Sequence, residues 1–369
     1  MPRLIFANQL RGVAALCVVF SHLVGVYWGM RDYVGLASAS PVQPGPVPDI
    51  FALASYPWFN FGPFGVGLFF LISGFVIPFS LDRHSRASFL AARLLRIYPT
   101  YVAALCLELA VLQAAALYWQ RPFPYGDATV LWNLLLLNSQ TGHPSIDLVN
   151  WTLVVELKFY LVMAAAAPLV RRGSVGLLFG VALAMLALNL GLEGRDWARP
   201  DAAHADVVRQ ASVDSLYLIF MLVGVLFNYR LRKLLRAPGF LAALGGMVGL
   251  FLLCWQHSLI AEQMPVVTVN YLDALAVFSL AFVARRHARP LWLLDRAAAI
   301  SFPLYLVHSL IGYSVLKLLT LGWRMPYGLA LTIAVAVAVA VATGLHLTVE
   351  RASIVLGRRC APILPNRAA

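Results

Sequence analysis

The chain has 369 residues, 61% hydrophobic and 12% charged, with a formal net charge of +12. So few charges among so many apolar residues exclude an ordinary soluble domain, and no polar stretch is long enough to build a core of its own. Nucleic-acid binding is excluded too, because the basic residues fall in short runs between apolar stretches instead of on one patch.

Apolar stretches long enough to cross a bilayer recur along the whole chain, the pattern of a multi-spanning helical membrane protein. Ten spans are predicted, near 7–28, 61–80, 97–119, 150–170, 174–192, 211–229, 237–257, 266–284, 297–319 and 327–349. The expected fold is all-α, polytopic and integral to the membrane, with one domain over 1–349 and a short cytoplasmic tail over 350–369. The first segment is too long for a signal peptide and has no small-residue cleavage site after it, so it reads as a retained span.

The first span carries Arg11 and His22. Eleven residues are almost three helical turns, so both side chains share a face, about 16 Å apart along the axis. An ionisable group inside a span is costly, which favours a functional role. The residues alone leave His22 as either a helix–helix hydrogen-bond partner or a neutral general base, and Arg11 as either a snorkelling interface residue or an anion site. The loop 38–60 is rich in proline and reads as irregular. In span two, Gly65-Val66-Gly67 through Ser73-Gly74-Phe75 offers small residues for close helix approach, with Ser73 a candidate donor into a pocket.

The loop after span two carries Arg83 and Arg86, followed by Arg93-Leu94-Leu95-Arg96-Ile97-Tyr98-Pro99. Arg93 and Arg96 are three apart, which places them on one side of a short helix and suits a phosphate or pyrophosphate. Inside-positive topology is the competing explanation. Val130–Leu137 is apolar but too short to cross, and is expected to be re-entrant or interfacial. Next comes Trp151-Thr152-Leu153-Val154-Val155-Glu156-Leu157-Lys158-Phe159-Tyr160. Glu156 faces away from Lys158 but toward Tyr160, four residues on. Its carboxylate either packs against another helix or orients His22 or a substrate hydroxyl.

Ser301-Phe302-Pro303-Leu304-Tyr305-Leu306-Val307-His308 opens span nine, where Pro303 should kink or break the helix start and Tyr305 and His308 share a face. Asp214, Asp273 and His257 are expected near solvated outer ends, and Glu350-Arg351 as a structural ion pair at the inner surface. The Ala/Val alternation at 334–342 reads as membrane packing. Cys17, Cys106, Cys254 and Cys360 are scattered, which suggests neither a disulfide framework nor a metal site.

With the N-terminus inside, the inner segments carry 19 basic residues, from Arg3 to Arg367, and the outer ones 6, namely Arg31, Arg121, Arg195, Arg199, Arg209 and Arg324. This bias puts both termini in the cytoplasm. Most acidic residues, Asp196 and Asp201 among them, fall in the outer loops. Those loops also carry Tyr33, Tyr56, Trp58, Tyr125 and Trp197, which can stack on sugar rings or anchor at the interface.

The Arg11…His22 pair, Phe69-Phe70-Leu71-Ile72-Ser73-Gly74-Phe75, and the Arg93, Trp151 and Ser301 segments above occur in one order over most of the chain. In that order they resemble the membrane-bound acyltransferase 3 family, which includes O-acetyltransferases of bacterial surface polysaccharides. The departures are mild: Thr152 stands where the family usually has Ser, and Phe302 at a position usually Tyr or Phe.

The resemblance implies a ten-helix core in the bacterial inner membrane. It would pass an acyl group, expected to be acetyl, from cytoplasmic acyl-CoA to a hydroxyl of a cell-surface glycan, with no metal. By position, His22 would be the catalytic histidine and Glu156 would support the site. Arg11, Arg93 and Arg96 would serve the anionic donor, and Ser73, Trp151, Tyr160, Tyr305 and His308 are further pocket candidates. The C-terminal esterase-like domain of some members is expected to be absent. The alternative is a secondary transporter of a glycan or small metabolite, with His22 and Glu156 as coupling groups, but no paired Gly/Pro-broken spans in matching halves support it.

Overall fold

The computed structural model describes residues 4–195 and 205–360, and contains no strand among them. Arg3, Asp196, Trp197, Arg199, Asp201 and Arg367, cited above for charge bias and aromatic stacking, lie outside those residues, as does the tail 361–369.

The first helix, α1 (Ile5–Phe20), continues through a π-helical turn, Ser21–Val26, into α2 (Tyr27–Gly29). Two short helices follow, α3 (Arg31–Ala37) and α4 (Phe51–Ala54). A long hairpin, α5 (Phe61–Leu81) and α6 (Arg86–Trp119), leads to the short α7 (Asp127–Leu134). Next are α8 (Asn150–Ala165), α9 (Ala167–Arg171), α10 (Val175–Leu192), α11 (Ala205–Leu231), α12 (Ala237–Gln256) and α13 (Met264–Ala284). The chain closes with α14 (Trp292–Ala299), α15 (Ser301–Lys317), α16 (Tyr327–Leu345) and α17 (Arg351–Cys360).

Nine helical stretches among the described residues are long and apolar enough to cross a membrane. The tenth predicted span, 150–170, is α8 with 16 residues, a break at Ala166, and α9. The predicted span 297–319 is divided at Ile300 between α14 and α15, one turn before Pro303.

Contacts fix which helix ends meet. Asp82, after α5, pairs with Arg232, after α11, at 3.0 Å. Arg171 on α9 donates to the carbonyls of Leu81 at 2.9 Å and His84 at 2.7 Å. Ser353 on α17 bonds the Leu95 carbonyl of α6, and Asn8 on α1 donates to Asp295 on α14 at 2.9 Å. The described chain therefore begins and ends at one end of the bundle, here termed the N-terminal end.

Small residues set the closest approaches. A Cβ on Gly74 would sit 1.9 Å from the Met221 carbonyl oxygen, and one on Gly224 would sit 2.3 Å from that of Leu71. Backbone touches backbone where α5 crosses α11, the use of small residues predicted for this span. On α16 the alanines 330, 334, 338 and 342 are fully buried, while Val339 faces outward. The Ala/Val alternation is thus a packing stripe at helical spacing. Leu117, Leu241, Leu280 and Val283 are largely exposed, as a lipid-facing surface allows.

The segment after α6 turns back into the bundle. Tyr98 donates to the Leu135 carbonyl at 2.8 Å, and Tyr101 to that of Asn133 at 2.6 Å. Tyr101 lies five turns below the end of α6, about 27 Å along the axis. Asn133 is fully buried, and all its polar groups are used. Its amide donates to Thr129 and Pro144 carbonyls, and its side-chain oxygen accepts from Ile146 N–H and the Asn150 amide. Asp147 then holds the start of α8, accepting from the backbone N–H groups of Val149 at 2.9 Å and Asn150 at 2.6 Å. Starting at this depth, α8 needs only 16 residues to reach the N-terminal end.

Three local expectations are corrected. Asp214 is not solvated; it is 3% exposed and bonded by Lys158 and Gln210. Glu350 pairs with His346 at 2.6 Å and not with Arg351, because residues four apart share a helix face and adjacent ones do not. Arg93 and Arg96 lie within the 34-residue α6, not on a short helix.

Candidate functional site

Two neighbouring cavities lie in the bundle. The larger, about 540 Å³, opens among α1, α5, α6, α8 and the α14–α15 junction. Its wall includes Arg11, Arg93, Arg96, Glu156, Tyr160, Ser73 and Tyr305, so seven of the ten predicted site residues meet there. The Glu156 Oε1 accepts from Ser73 Oγ at 3.1 Å and from Tyr160 Oη at 2.5 Å. Arg93 stacks over the rings of Phe89 and Tyr160, 5.7 Å from each, and its Nε is buried without a hydrogen-bond partner. Asp295 at the rim is held by Asn8. Three guanidiniums thus share a wall with Glu156, whose oxygen is occupied by two hydroxyls. The chamber carries excess positive charge and suits a polyanion.

His22 is not in that chamber. It lines a second cavity of about 230 Å³ with Ser21, Asn60, Trp151, Tyr217, Tyr271 and Tyr305. Arg11 and His22 share a helix but serve different cavities. Glu156 lines only the arginine chamber, so its contacts orient Tyr160 and Ser73 and do not reach the histidine. Trp151, Tyr217, Tyr271 and Tyr305 give the second cavity aromatic faces of the kind that stack on sugar rings.

His22 sits in the π-helical turn that follows α1. Such turns widen a helix locally and recur at functional sites. Behind it stands His308 on α15, fully buried, with ring centroids 4.8 Å apart. The Nδ1 of His308 is 3.0 Å from the Leu304 carbonyl and 2.9 Å from that of Tyr305. A carbonyl only accepts, so Nδ1 carries the proton and Nε2 keeps its lone pair. That Nε2 and the Nδ1 of His22 are both buried without partners.

Tyr305 and Val66 are common to both cavities. Thr152 Oγ1 donates to the Val149 carbonyl at 2.9 Å and meets Tyr305 Oη at 2.9 Å, so the phenol is the donor in that pair.

Sequence reasoning did not single out Glu108. It is fully buried on α6 and neither carboxylate oxygen has a hydrogen-bond partner. The signal was available, since an acidic residue in the middle of Leu105-Cys106-Leu107-Glu108-Leu109 is itself anomalous in a span. Tyr217 and Tyr271 carried no such signal, because an aromatic in an apolar span marks no site. Of the outer-loop aromatics, Tyr56 and Trp58 are exposed, while Tyr125 bonds the Ile146 carbonyl within the re-entrant segment.

A family model described as an acyltransferase domain matches residues 4–346, nearly the whole chain. Neither a curated protein nor a solved structure matches it.

Proposed function

We infer, from the premise that this chain belongs to the acyltransferase 3 family and is a membrane acyltransferase, that it moves an acetyl group from acyl-CoA to a hydroxyl of a cell-surface glycan. The observation that carries this reading is the pairing of a cationic chamber with an adjacent aromatic cavity holding a buried histidine. Coenzyme A bears phosphates on one end and a neutral thioester on a thin arm. Arg11, Arg93 and Arg96 offer charge-assisted hydrogen bonds to the phosphates. The unpartnered Nε of Arg93 supports the fit, since a buried donor with no acceptor is satisfied by an arriving oxygen.

In the proposed reaction the acceptor hydroxyl lies against the aromatic wall with its proton toward the His22 Nε2. The imidazole takes that proton as the hydroxyl oxygen attacks the thioester carbonyl. A carbon–oxygen bond forms, the carbon–sulfur bond breaks, and the imidazolium returns the proton to the departing thiolate. His308 packs its ring against that of His22. Transfer through an acyl-enzyme uses the same groups, with the imidazole itself acylated first. Glu156 acts as a supporting carboxylate for the arginine wall. The N-terminal end of the bundle faces the cytoplasm of a bacterial inner membrane, the side with most arginines.

The test is release of coenzyme A thiol by purified protein given acetyl-CoA and a polysaccharide with free hydroxyls. Wild type should release thiol and form the ester, and His22→Ala should lose at least about 100-fold in kcat. Equal release by both proteins removes His22 from the chemistry.

A further inference from the structure

The donor-binding arginines and the histidine line different cavities, so the thioester must pass from one to the other. Val66 and Tyr305 form the wall common to both. The Tyr305 phenol is latched to Thr152 at 2.9 Å, and Thr152 is itself anchored to Val149, a residue of the histidine cavity. Phe69 of the arginine chamber supports the Tyr305 ring edge-on, with centroids 5.5 Å apart. One hydrogen bond between neutral hydroxyls is a weak latch, broken by a side-chain rotation.

We propose that Tyr305, Thr152 and Val66 form the passage between the two cavities, and that this passage sets which acyl groups the protein transfers. The proposal rests on the acyltransferase reading and deepens it. An acyl chain has to cross the wall and then share about 230 Å³ with the acceptor hydroxyl. Both steps select a short chain, so the donor class is acetyl-CoA and not a longer acyl-CoA. The arginines fix the head of every donor alike, because all acyl-CoAs share the same phosphates. Discrimination therefore falls on the wall residues. Tyr305 and Val66 are specificity residues, and Thr152 positions Tyr305.

The experiment compares thiol release from acetyl-, butyryl- and hexanoyl-CoA by wild type, Val66→Ala and Tyr305→Phe, each with the same glycan acceptor. Val66→Ala removes two methyl groups from the wall. It should raise the hexanoyl-to-acetyl ratio of kcat/KM about 10-fold. Tyr305→Phe keeps the ring and frees the latch. It should raise the share of thioester hydrolysed without acceptor, since water in the histidine cavity then reaches the donor. If Tyr305→Phe does not survive purification, the chain-length ratio of Val66→Ala still decides. An unchanged ratio in a Val66→Ala protein that turns over acetyl-CoA overturns the passage while leaving the acyltransferase reading in place. No thiol release by wild type from any acyl-CoA overturns both.

Discussion

Arg93 is the residue whose surroundings most narrow its role. Its guanidinium is sandwiched near two aromatic rings, with Nε buried and unpaired. A cation held this way is pre-organised for a phosphate oxygen, and the loss of one charge-assisted bond costs about 1.5–3 kcal/mol. Arg93→Ala should therefore raise the donor KM about 10- to 100-fold and leave the acceptor KM alone. Steady-state kinetics with each substrate varied in turn measures both, and an unchanged donor KM with unchanged turnover removes Arg93 from donor binding. Lysine should rescue poorly, because it cannot reproduce the planar fork between the rings. At this scale the sequence was informative about ionisable groups in or beside apolar spans, which stand out by cost alone. It was silent on which cavity each group faces, because that depends on neighbouring helices. Hence Arg11 and His22 looked like one site and line two.

Among the elements, α8 differs most from its expected form. Periodicity and length marked 150–170 as a full span and 130–137 as too short to cross, and both readings point to the same place in the fold. What the sequence did not disclose is that the re-entrant segment descends to Tyr101 and delivers α8 to its start deep in the bundle. That descent depends on the buried network of Asn133, Asn150 and Tyr101, whose partners are far apart in sequence. Asp147 holds the start of that helix by accepting from the backbone N–H groups of Val149 and Asn150. Asp147→Ala removes both acceptor bonds and should lower the thermal midpoint in detergent, while Asp147→Asn, which keeps an acceptor oxygen, should lower it less. Equal midpoints for Asp147→Ala and wild type would count against this role.

For the whole molecule, an all-α class and a multi-span membrane pattern were readable from hydropathy alone, because each span had to satisfy its own backbone. The crossing of α5 and α11 at Gly74 and Gly224 was readable only as a preference for small residues. Orientation makes a separate prediction. With the arginine chamber on the cytoplasmic side, inverted membrane vesicles should release thiol from added acetyl-CoA without detergent, and right-side-out vesicles only after permeabilisation. The reverse result would turn the molecule over.

The wall at Tyr305 has one more consequence, and it concerns the cell more than the reaction. A continuous wet bore from one face to the other would let protons run down the membrane potential, which drives each elementary charge with about 2.3 kcal/mol per 100 mV. If Tyr305 and Val66 close the wall between the two cavities, as proposed, only an uncharged acyl group need cross it, and the bilayer stays electrically sealed while the chemistry is sided.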